Sequence, residues 1–273
     1  MLKMESAVLL MFLACAPEVT VGSSERATPV ISPSDWDGQE ALPMVFLLHG
    51  LGSTAGRQDW YMGFSDQVDA MRFHLLLPEG LERPQDDQQS WDAGDYCCNL
   101  EAEVDDVGFL LGLQDEMISD FGAQEQAIYF GHSNGHYMSY RMACEAPDRI
   151  RAMGGLAGSV PWNAQDCAVG DPVNSLHIHG TEDESVPYEG KEGDHPSATE
   201  SVARWAERAG CTETEAGGTM NLTRNKGKEE TVVERYTGCS HRVELWTMED
   251  TAHIPWLHGK HFSDATLGWL LAE

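Results

Sequence analysis

The stretch GHSNG, residues 131–135, decides the fold. It follows an apolar run at 127–131 that predicts a buried strand, and it opens a predicted helix at 134–144. A serine between such elements must occupy a sharp, strained turn, and flanking glycines let the strand and helix approach without Cβ clashes. The turn exposes the Ser133 hydroxyl and places the Asn134 N–H at a helix N-terminus, where it can bind an oxyanion. The sequence therefore predicts a nucleophile and an oxyanion donor.

Apolar runs alternate with helical patterns along the rest of the chain. Several of the runs are continuous, which is typical of strands buried on both faces of a parallel sheet. This order predicts an α/β fold, with a mostly parallel sheet and helices on both faces. The predicted strands are residues 44–49, 73–77, 127–131, 151–155, 175–179, 231–236 and 243–247. The predicted helices are residues 58–71, 104–121, 134–144, 201–209 and 262–271. Residues 210–230 predict an insertion or a long hairpin.

Two loops after later strands carry the other groups that a serine nucleophile needs. A hydroxyl requires a base, and the base requires a carboxylate to orient it. Of the eleven histidines, His253 alone follows the last predicted strand at loop distance and precedes the final helix, so it is the predicted base. Asp183 follows the strand at 175–179 and is the predicted acid, with Glu182 or Glu184 as alternatives.

A second glycine turn follows the first predicted strand and reads HGLG at residues 49–52. Its glycines let the backbone turn amides inward, and the Leu51 N–H is the predicted second oxyanion donor. His177 and His179 lie on one face of a predicted strand, which favours a core or supporting role. The histidines near the end of the chain lack an HExxH or matching carboxylate pattern, so we expect no metal.

The charge balance limits the partners. The chain has 45 acidic and 17 basic residues, and its formal net charge is −28. Such a surface repels phosphate backbones and anionic membranes, so we expect no nucleic-acid partner. At 273 residues with 41% hydrophobic content, the chain can bury one sizeable core.

The N-terminus predicts export. Residues 7–16 form a ten-residue apolar run, too short for a stable membrane span and suited to a signal peptide. We expect a signal peptide at 1–22, with cleavage after residue 16 as an option, and one catalytic domain at 23–273. Six cysteines then remain, and an even number in a secreted chain predicts disulfides. The adjacent Cys97 and Cys98 are expected to bond elsewhere rather than to each other.

Together these landmarks resemble the secreted α/β-hydrolase esterase family that includes polyhydroxybutyrate depolymerases and feruloyl esterases. The resemblance implies a catalytic triad of Ser133, Asp183 and His253, activity on carboxylic esters such as polyhydroxyalkanoate or feruloyl esters, and no cofactor. It also implies a disulfide between Cys211 and Cys239. The segments that carry the resemblance are LHGLG (48–52), SWDAGDYCC (90–98), VDDVGFL (104–110), GHSNGHYMSYRMACEAPD (131–148), HIHGTEDESVPY (177–188) and LWTMEDTAHIPW (245–256).

The chain departs from this family before its first motif. Family members usually carry two strands before LHG, whereas only about twenty residues separate the predicted signal from Pro43. We therefore expect a missing edge strand or a truncated gene model.

Four aromatic side chains in loops are predicted to line a substrate pocket. They are Trp91, Trp162, Tyr188 and Trp256.

The alternative functions are another serine hydrolase on the same fold, such as a peptidase or lactone hydrolase, and a non-catalytic binding protein.

Overall fold

A computed structural model describes residues 19–94, 97–98, 104–167, 171–224 and 228–272. Most of the predicted signal peptide, residues 1–18, lies outside this part of the chain. In the described ranges, no helix combines the length and the apolar character needed to cross a membrane.

Ten strands form one large sheet, in the order β1-β2-β4-β3-β7-β8-β9-β12-β11-β10. The central pairs from β4 to β12 are parallel, and the pairs at both edges are antiparallel. The predicted mostly parallel sheet is therefore confirmed. Its strands are β1 (Thr20–Val21), β2 (Thr28–Ile31), β3 (Met44–Leu48), β4 (His74–Leu76), β7 (Ala127–His132), β8 (Ile150–Leu156), β9 (Asn174–Gly180), β10 (Glu213–Met220), β11 (Thr231–Thr237) and β12 (Val243–Met248). A separate two-stranded ribbon joins β5 (Leu81–Glu82) to β6 (Gln89–Ser90).

Side chains on the two faces of the sheet build two apolar cores. Along β3, Met44, Phe46 and Leu48 face one core, while Val45 and Leu47 face the other. All five are fully buried, which explains why the run is continuous rather than alternating. Helices cover both faces. They are α1 (Ala55–Met62), α2 (Val68–Met71), α3 (Asp106–Phe121), α4 (Asn134–Glu145), α5 (Ala198–Arg208) and α6 (Gly259–Leu271).

The single helix predicted at 58–71 is wrong, because the structure has two helices there. α1 ends at Gly63, which has φ 72° and caps the helix by donating its N–H to the carbonyl of Asp59. Glycine adopts this left-handed conformation without a Cβ penalty, so the chain can leave the helix at that point.

Residues 210–230, predicted as an insertion or a long hairpin, contain β10, which is one arm of a hairpin whose other arm is β11. β10 pairs with β11 in antiparallel register from Glu213 opposite Thr237 to Met220 opposite Thr231. The hairpin extends the sheet beyond β12 and forms one of its edges.

The expectation of a missing edge strand is wrong. β1 and β2 precede β3, and β2 joins the sheet through antiparallel pairing with β4. Both strands are short and fit within Thr20–Ile31. The Gly22 N–H also donates to Glu116 Oε2 at 2.7 Å, which ties this segment to α3. Thr20 and Val21, which fall within the range predicted for the signal peptide, therefore pair with β2 in this sheet.

Three disulfides lie in the described part of the chain. The Cys211–Cys239 bond implied by the family resemblance is confirmed. The expectation for Cys97 and Cys98 is wrong, because these neighbours bond to each other. The physical reason is a lack of other partners among the described residues, because the other four cysteines pair as Cys144–Cys167 and Cys211–Cys239.

Candidate active site

Ser133 occupies the turn between β7 and α4 with φ 53° and ψ −121°. A non-glycine residue with positive φ costs roughly 1–3 kcal/mol and persists only when the surroundings fix it. Here the Ser133 N–H donates to the carbonyl of Leu156 at 2.8 Å, and its own carbonyl accepts from the N–H groups of His136 and Tyr137. The neighbouring strand and the first turn of α4 thus hold the residue in this conformation.

The glycines of the motif are required by close backbone approach. A Cβ on Gly131 would lie 2.1 Å from the carbonyl carbon of Gly135. A Cβ on Gly135 would lie 2.3 Å from the carbonyl oxygen of Leu48. Both contacts are with backbone atoms, so no side-chain movement could relieve them. Gly131 lets β7 approach the start of α4, as the sequence predicted, and Gly135 lets the turn approach β3.

Asp183 and His253 meet across two loops at the carboxyl ends of β9 and β12. His253 Nδ1 lies 2.7 Å from Asp183 Oδ2. The carboxylate accepts, so Nδ1 carries the proton and Nε2 keeps its lone pair. The second oxygen, Asp183 Oδ1, accepts from the N–H groups of Ser185 and Val186, each at 2.8 Å. This arrangement orients the imidazole as a base.

Asp183 differs in burial from the two acids considered as alternatives. It is 5% exposed, whereas Glu182 and Glu184 are exposed. Burial alone would raise the pKa of Asp183, but hydrogen bonds from His179 and His253 outweigh that effect and leave its pKa below the usual range. The carboxylate is therefore ionised at neutral pH.

A buried hydrogen-bonded chain reaches Asp183 from the core. Tyr140 Oη lies 2.8 Å from His177 Nδ1, and His177 Nε2 lies 3.1 Å from His179 Nδ1. His179 Nε2 lies 2.8 Å from the carbonyl of Val186 and 3.3 Å from Asp183 Oδ2. The supporting role predicted for His177 and His179 therefore consists of hydrogen bonds that connect the core to Asp183. The sequence analysis missed Tyr140, because its contact with β9 depends on how α4 packs.

The carbonyl of Val186 fixes the direction of one hydrogen bond in this chain. It can only accept, so His179 Nε2 donates. Burial lowers the pKa of His177 well below its usual value and raises that of Tyr140, so both are neutral. The N–H at His179 Nε2 also faces Asp183 Oδ2 and stabilises its charge.

Replacing His179 by Phe is expected to destabilise the protein by about 1.5–3 kcal/mol at pH 7, because a hydrogen bond to a charged group is lost. The depressed pKa of Asp183 contributes stability that is present above its unfolded pKa and is lost as the pH falls toward the folded value. The difference between wild type and His179→Phe should therefore shrink below about pH 4. Urea unfolding from pH 7 to pH 3 measures it. A difference independent of pH would contradict this role.

The glycine turn after β3 lies against the nucleophile turn. A Cβ on Gly50 would lie 3.4 Å from Ser133 Cβ and 3.3 Å from the carbonyl of His132. The N–H groups of Leu51 and Asn134 have no hydrogen-bond partner within the described residues. Two unpaired donors beside a strained serine fit the predicted oxyanion site.

Trp91 is placed differently from the pocket position predicted for it. Its side chain is fully buried, and its indole N–H donates to the carbonyl of His49 at 3.0 Å. Its backbone is clamped by the amide of Asn134, which accepts from Trp91 N–H at 2.7 Å and donates to Trp91 O at 3.0 Å. Trp91 therefore braces Asn134 and the first residue of the HGLG turn, His49, and it does not belong to the lining of the cleft.

A cleft of about 450 Å³ opens beside Ser133 and His253. Helix α1 and the residue after His253 supply most of its remaining wall. The residues that complete its lining are Gly50, Leu51, Ser53, Arg57, Gln58, Trp60, Tyr61, His132 and Ile254. The α1 residues were not predicted from the sequence. The sequence feature that could have identified them is that α1 directly follows the HGLG turn at residues 49–52.

The other predicted aromatic residues lie outside this lining. Trp162 and Trp256 are 43% and 63% exposed. Tyr188 Oη bonds to Thr247 Oγ1 at 2.9 Å, and its ring packs edge-on against His179. Trp60, which the prediction omitted, is 86% exposed at the cleft. Over the residues that the structure describes, no group of three or more His, Cys, Asp or Glu side chains could hold a metal ion.

Sequence relatives of this chain carry the names of esterases. It is 28% identical over 178 residues to the proposed esterase NocK of Nocardia uniformis subsp. tsuyamanensis, which covers 64% of this chain and 50% of the relative. It is 28% identical over 167 residues to "Probable feruloyl esterase C" of Aspergillus niger, covering 58% of this chain and 55% of that protein. The chain thus spans about half the length of these relatives. "Feruloyl esterase C" of Emericella nidulans is 29% identical over 223 residues, 78% of this chain and 71% of the relative. No family model matches the chain.

Solved structures decide the fold class. The acetyl xylan esterase from Aspergillus awamori superimposes with a TM-score of 0.64 at 16% identity, over 93% of this chain and 99% of that one. The chain has the α/β-hydrolase fold. Esterase PE8, with a TM-score of 0.56 at 15% identity over 90% of this chain and 99% of that one, shows the same fold. In an α/β-hydrolase, the nucleophile lies on a strand-to-helix turn and the triad order is Ser, Asp or Glu, then His. The predicted fold and the resemblance to esterases are confirmed.

Proposed function

We propose that this α/β-hydrolase is a serine carboxylic ester hydrolase with Ser133 as nucleophile, His253 as base and Asp183 as its orienting acid. The observation that carries the proposal is the 2.7 Å hydrogen bond between His253 Nδ1 and Asp183 Oδ2, with His253 and Ser133 lining one cleft. Three side chains that are far apart in sequence thereby lie together at the carboxyl ends of β7, β9 and β12. Similarity to proteins named esterases supports the same activity.

The reaction proceeds through an acyl-enzyme. His253 Nε2 accepts the Ser133 proton as Oγ attacks the ester carbonyl carbon, and the carbonyl oxygen becomes an oxyanion. The Leu51 and Asn134 N–H groups donate to that oxyanion. The C–O bond to the leaving group breaks, and the leaving alkoxide takes the proton from His253. Water, deprotonated by His253, then attacks the acyl-enzyme. Collapse of the second oxyanion returns the proton to Ser133 Oγ and releases the acid.

Feruloyl esters are the first substrate class to test, because relatives carry the name feruloyl esterase C. Polyhydroxyalkanoate esters are the second, because the sequence motifs also resemble polyhydroxybutyrate depolymerases. The rival activity is that of a peptidase or lactone hydrolase, which the same triad could perform.

Turnover of a substrate panel separates these activities. The panel contains p-nitrophenyl butyrate, methyl ferulate, a 3-hydroxybutyrate oligomer, a γ-lactone and a peptide p-nitroanilide. We expect kcat/KM for the best ester to exceed that for the anilide by at least about 10³. Cleavage of the anilide or the lactone at a higher kcat/KM than every linear ester would overturn the ester assignment.

We also propose secretion, with a leader that ends near residue 16 and a single catalytic domain after it. The disulfides Cys144–Cys167 and Cys211–Cys239 support an oxidising compartment. The Thr20–Val21 strand supports cleavage before residue 19 rather than after residue 22. N-terminal sequencing of protein recovered from the medium tests this boundary, and a terminus at residue 23 would contradict it.

A further inference from the structure

The inference concerns Arg57, an exposed side chain that lines the same cleft as Ser133. We infer that Arg57 binds an anionic group on the substrate, so that the enzyme prefers esters that bear a free carboxylate. This inference rests on the proposed function and adds a substrate class to it.

The first observation is that the Arg57 guanidinium has no partner among the described residues, although the chain is rich in carboxylates. Ten described Lys or Arg side chains lie within 4.0 Å of a carboxylate. Others, such as Arg151 and Arg242, donate to main-chain carbonyls. Among described residues, the Arg57 guanidinium has neither kind of contact, and only Arg224 shares this state. Of these two, Arg57 lines the cleft.

Two acids that lie on α1 or contact it are already engaged by backbone N–H groups. Glu79 Oε1 accepts from the Ala55 N–H at 3.0 Å, and Asp59 Oδ1 accepts from the Ser65 N–H at 2.9 Å. In each contact, the carboxylate accepts a hydrogen bond from a backbone N–H and not from the Arg57 guanidinium. The five N–H donors of Arg57 are therefore available to a ligand.

The position of Arg57 is unfavourable for the helix that carries it. It lies in the first turn of α1, which contains no acidic residue. The helix dipole favours anions at this end and disfavours cations. The guanidinium and this helix end therefore both place positive charge at the cleft, although the net charge of the chain is −28. An anion that reaches the cleft meets both the guanidinium and the positive end of the helix.

Apolar groups beside Arg57 define the rest of the substrate. Trp60, three residues further along α1, and Ile254 line the cleft and are 86% and 66% exposed. Side chains at i and i+3 are neighbours on a helix surface. A ligand with an apolar body and a terminal carboxylate matches this arrangement, because the guanidinium can bind the carboxylate in a bidentate manner.

Two pairs of isosteric esters test the inference on both sides of the scissile bond. On the acyl side, monomethyl glutarate is compared with its neutral amide, methyl 5-amino-5-oxopentanoate. On the alcohol side, 4-carboxyphenyl butyrate is compared with 4-carbamoylphenyl butyrate. Within each pair, the ratio of kcat/KM for the anion to that for the amide is measured for wild type, Arg57→Gln and Arg57→Lys.

In one pair, we expect Arg57→Gln to lower this ratio about tenfold, mainly through a higher KM for the anion. Arg57→Lys should restore part of it. Arg149→Gln is the matched control. It also removes one positive charge, but Arg149 directly precedes β8, at the amino ends of the parallel strands, and pairs with Asp115. An unchanged ratio in Arg57→Gln for both pairs, or an equal fall in Arg149→Gln, would overturn the inference. If wild type cleaves none of the four esters nor any ester of the panel above, the proposed function itself fails.

Discussion

Ser133→Ala is expected to lower kcat on the best ester of the panel by about 10⁵- to 10⁶-fold, because no covalent acyl-enzyme can form without the hydroxyl. Any residual rate would come from binding and from the Leu51 and Asn134 donors. Steady-state kinetics at high enzyme concentration measure this loss.

The fold should survive the substitution. Alanine adopts the same positive φ at about the same cost as serine, and the backbone hydrogen bonds to Leu156 and from His136 do not involve the side chain. A thermal midpoint close to that of wild type is the control. Ser53 is the other serine that lines the cleft. A larger loss in Ser53→Ala than in Ser133→Ala would reverse the assignment of the nucleophile.

Asp183→Asn should lower kcat by about 10⁴-fold, an effect of the size seen when the acid of a serine triad is made an amide. An amide can donate to His253 Nδ1 and thereby leave the proton on Nε2, so the imidazole could no longer accept from Ser133. The exchange conserves side-chain volume, which limits its effect on packing. The kinetics are measured on the same ester as for Ser133→Ala.

Neighbouring acids supply the matched controls for this change. Glu182→Gln and Glu184→Gln each remove one negative charge from the same loop, at exposed positions. Neither carboxylate contacts His253 in the described structure, whereas Asp183 does. Equal losses in Asp183→Asn and Glu182→Gln would mean that charge near the cleft matters and that the specific hydrogen bond does not.

The positions of the three proposed triad residues could be predicted from the sequence because each follows a strand of the same parallel sheet. The carboxyl ends of parallel strands lie at the same end of a sheet, so the loops after β7, β9 and β12 lie close together there. The strand order itself was not needed for that argument. The same reasoning located Leu51, whose loop follows β3. Strand runs buried on both faces, such as Val45 to Leu48, made those strand ends easy to find.

Contacts made across helices could not be predicted in this way. Whether a tryptophan lines a cleft or braces a loop depends on packing, and Trp91 is buried because Asn134 and His49 bind it. Trp60 is exposed because α1 turns another face toward the core. The end of α1 at Gly63 was missed because the apolar spacing continues past it.

The short N-terminal strands were missed for a different reason. β1 has two residues and β2 has four, too few for a hydrophobic pattern to register. β2 is held by pairing with β4, a contact that is distant in sequence, and β1 pairs with β2. The pairing of Cys97 with Cys98 likewise depended on where the other cysteines lie in the fold.

Covalent labelling tests the central claim most directly. The folded wild-type protein is incubated with a fluorophosphonate, digested and examined by mass spectrometry. The account predicts one phosphonate adduct per chain on the hydroxyl of residue 133, and a loss of labelling in both Ser133→Ala and His253→Gln. Folded protein that takes up no label, or an adduct on any other residue that persists in Ser133→Ala, would contradict it.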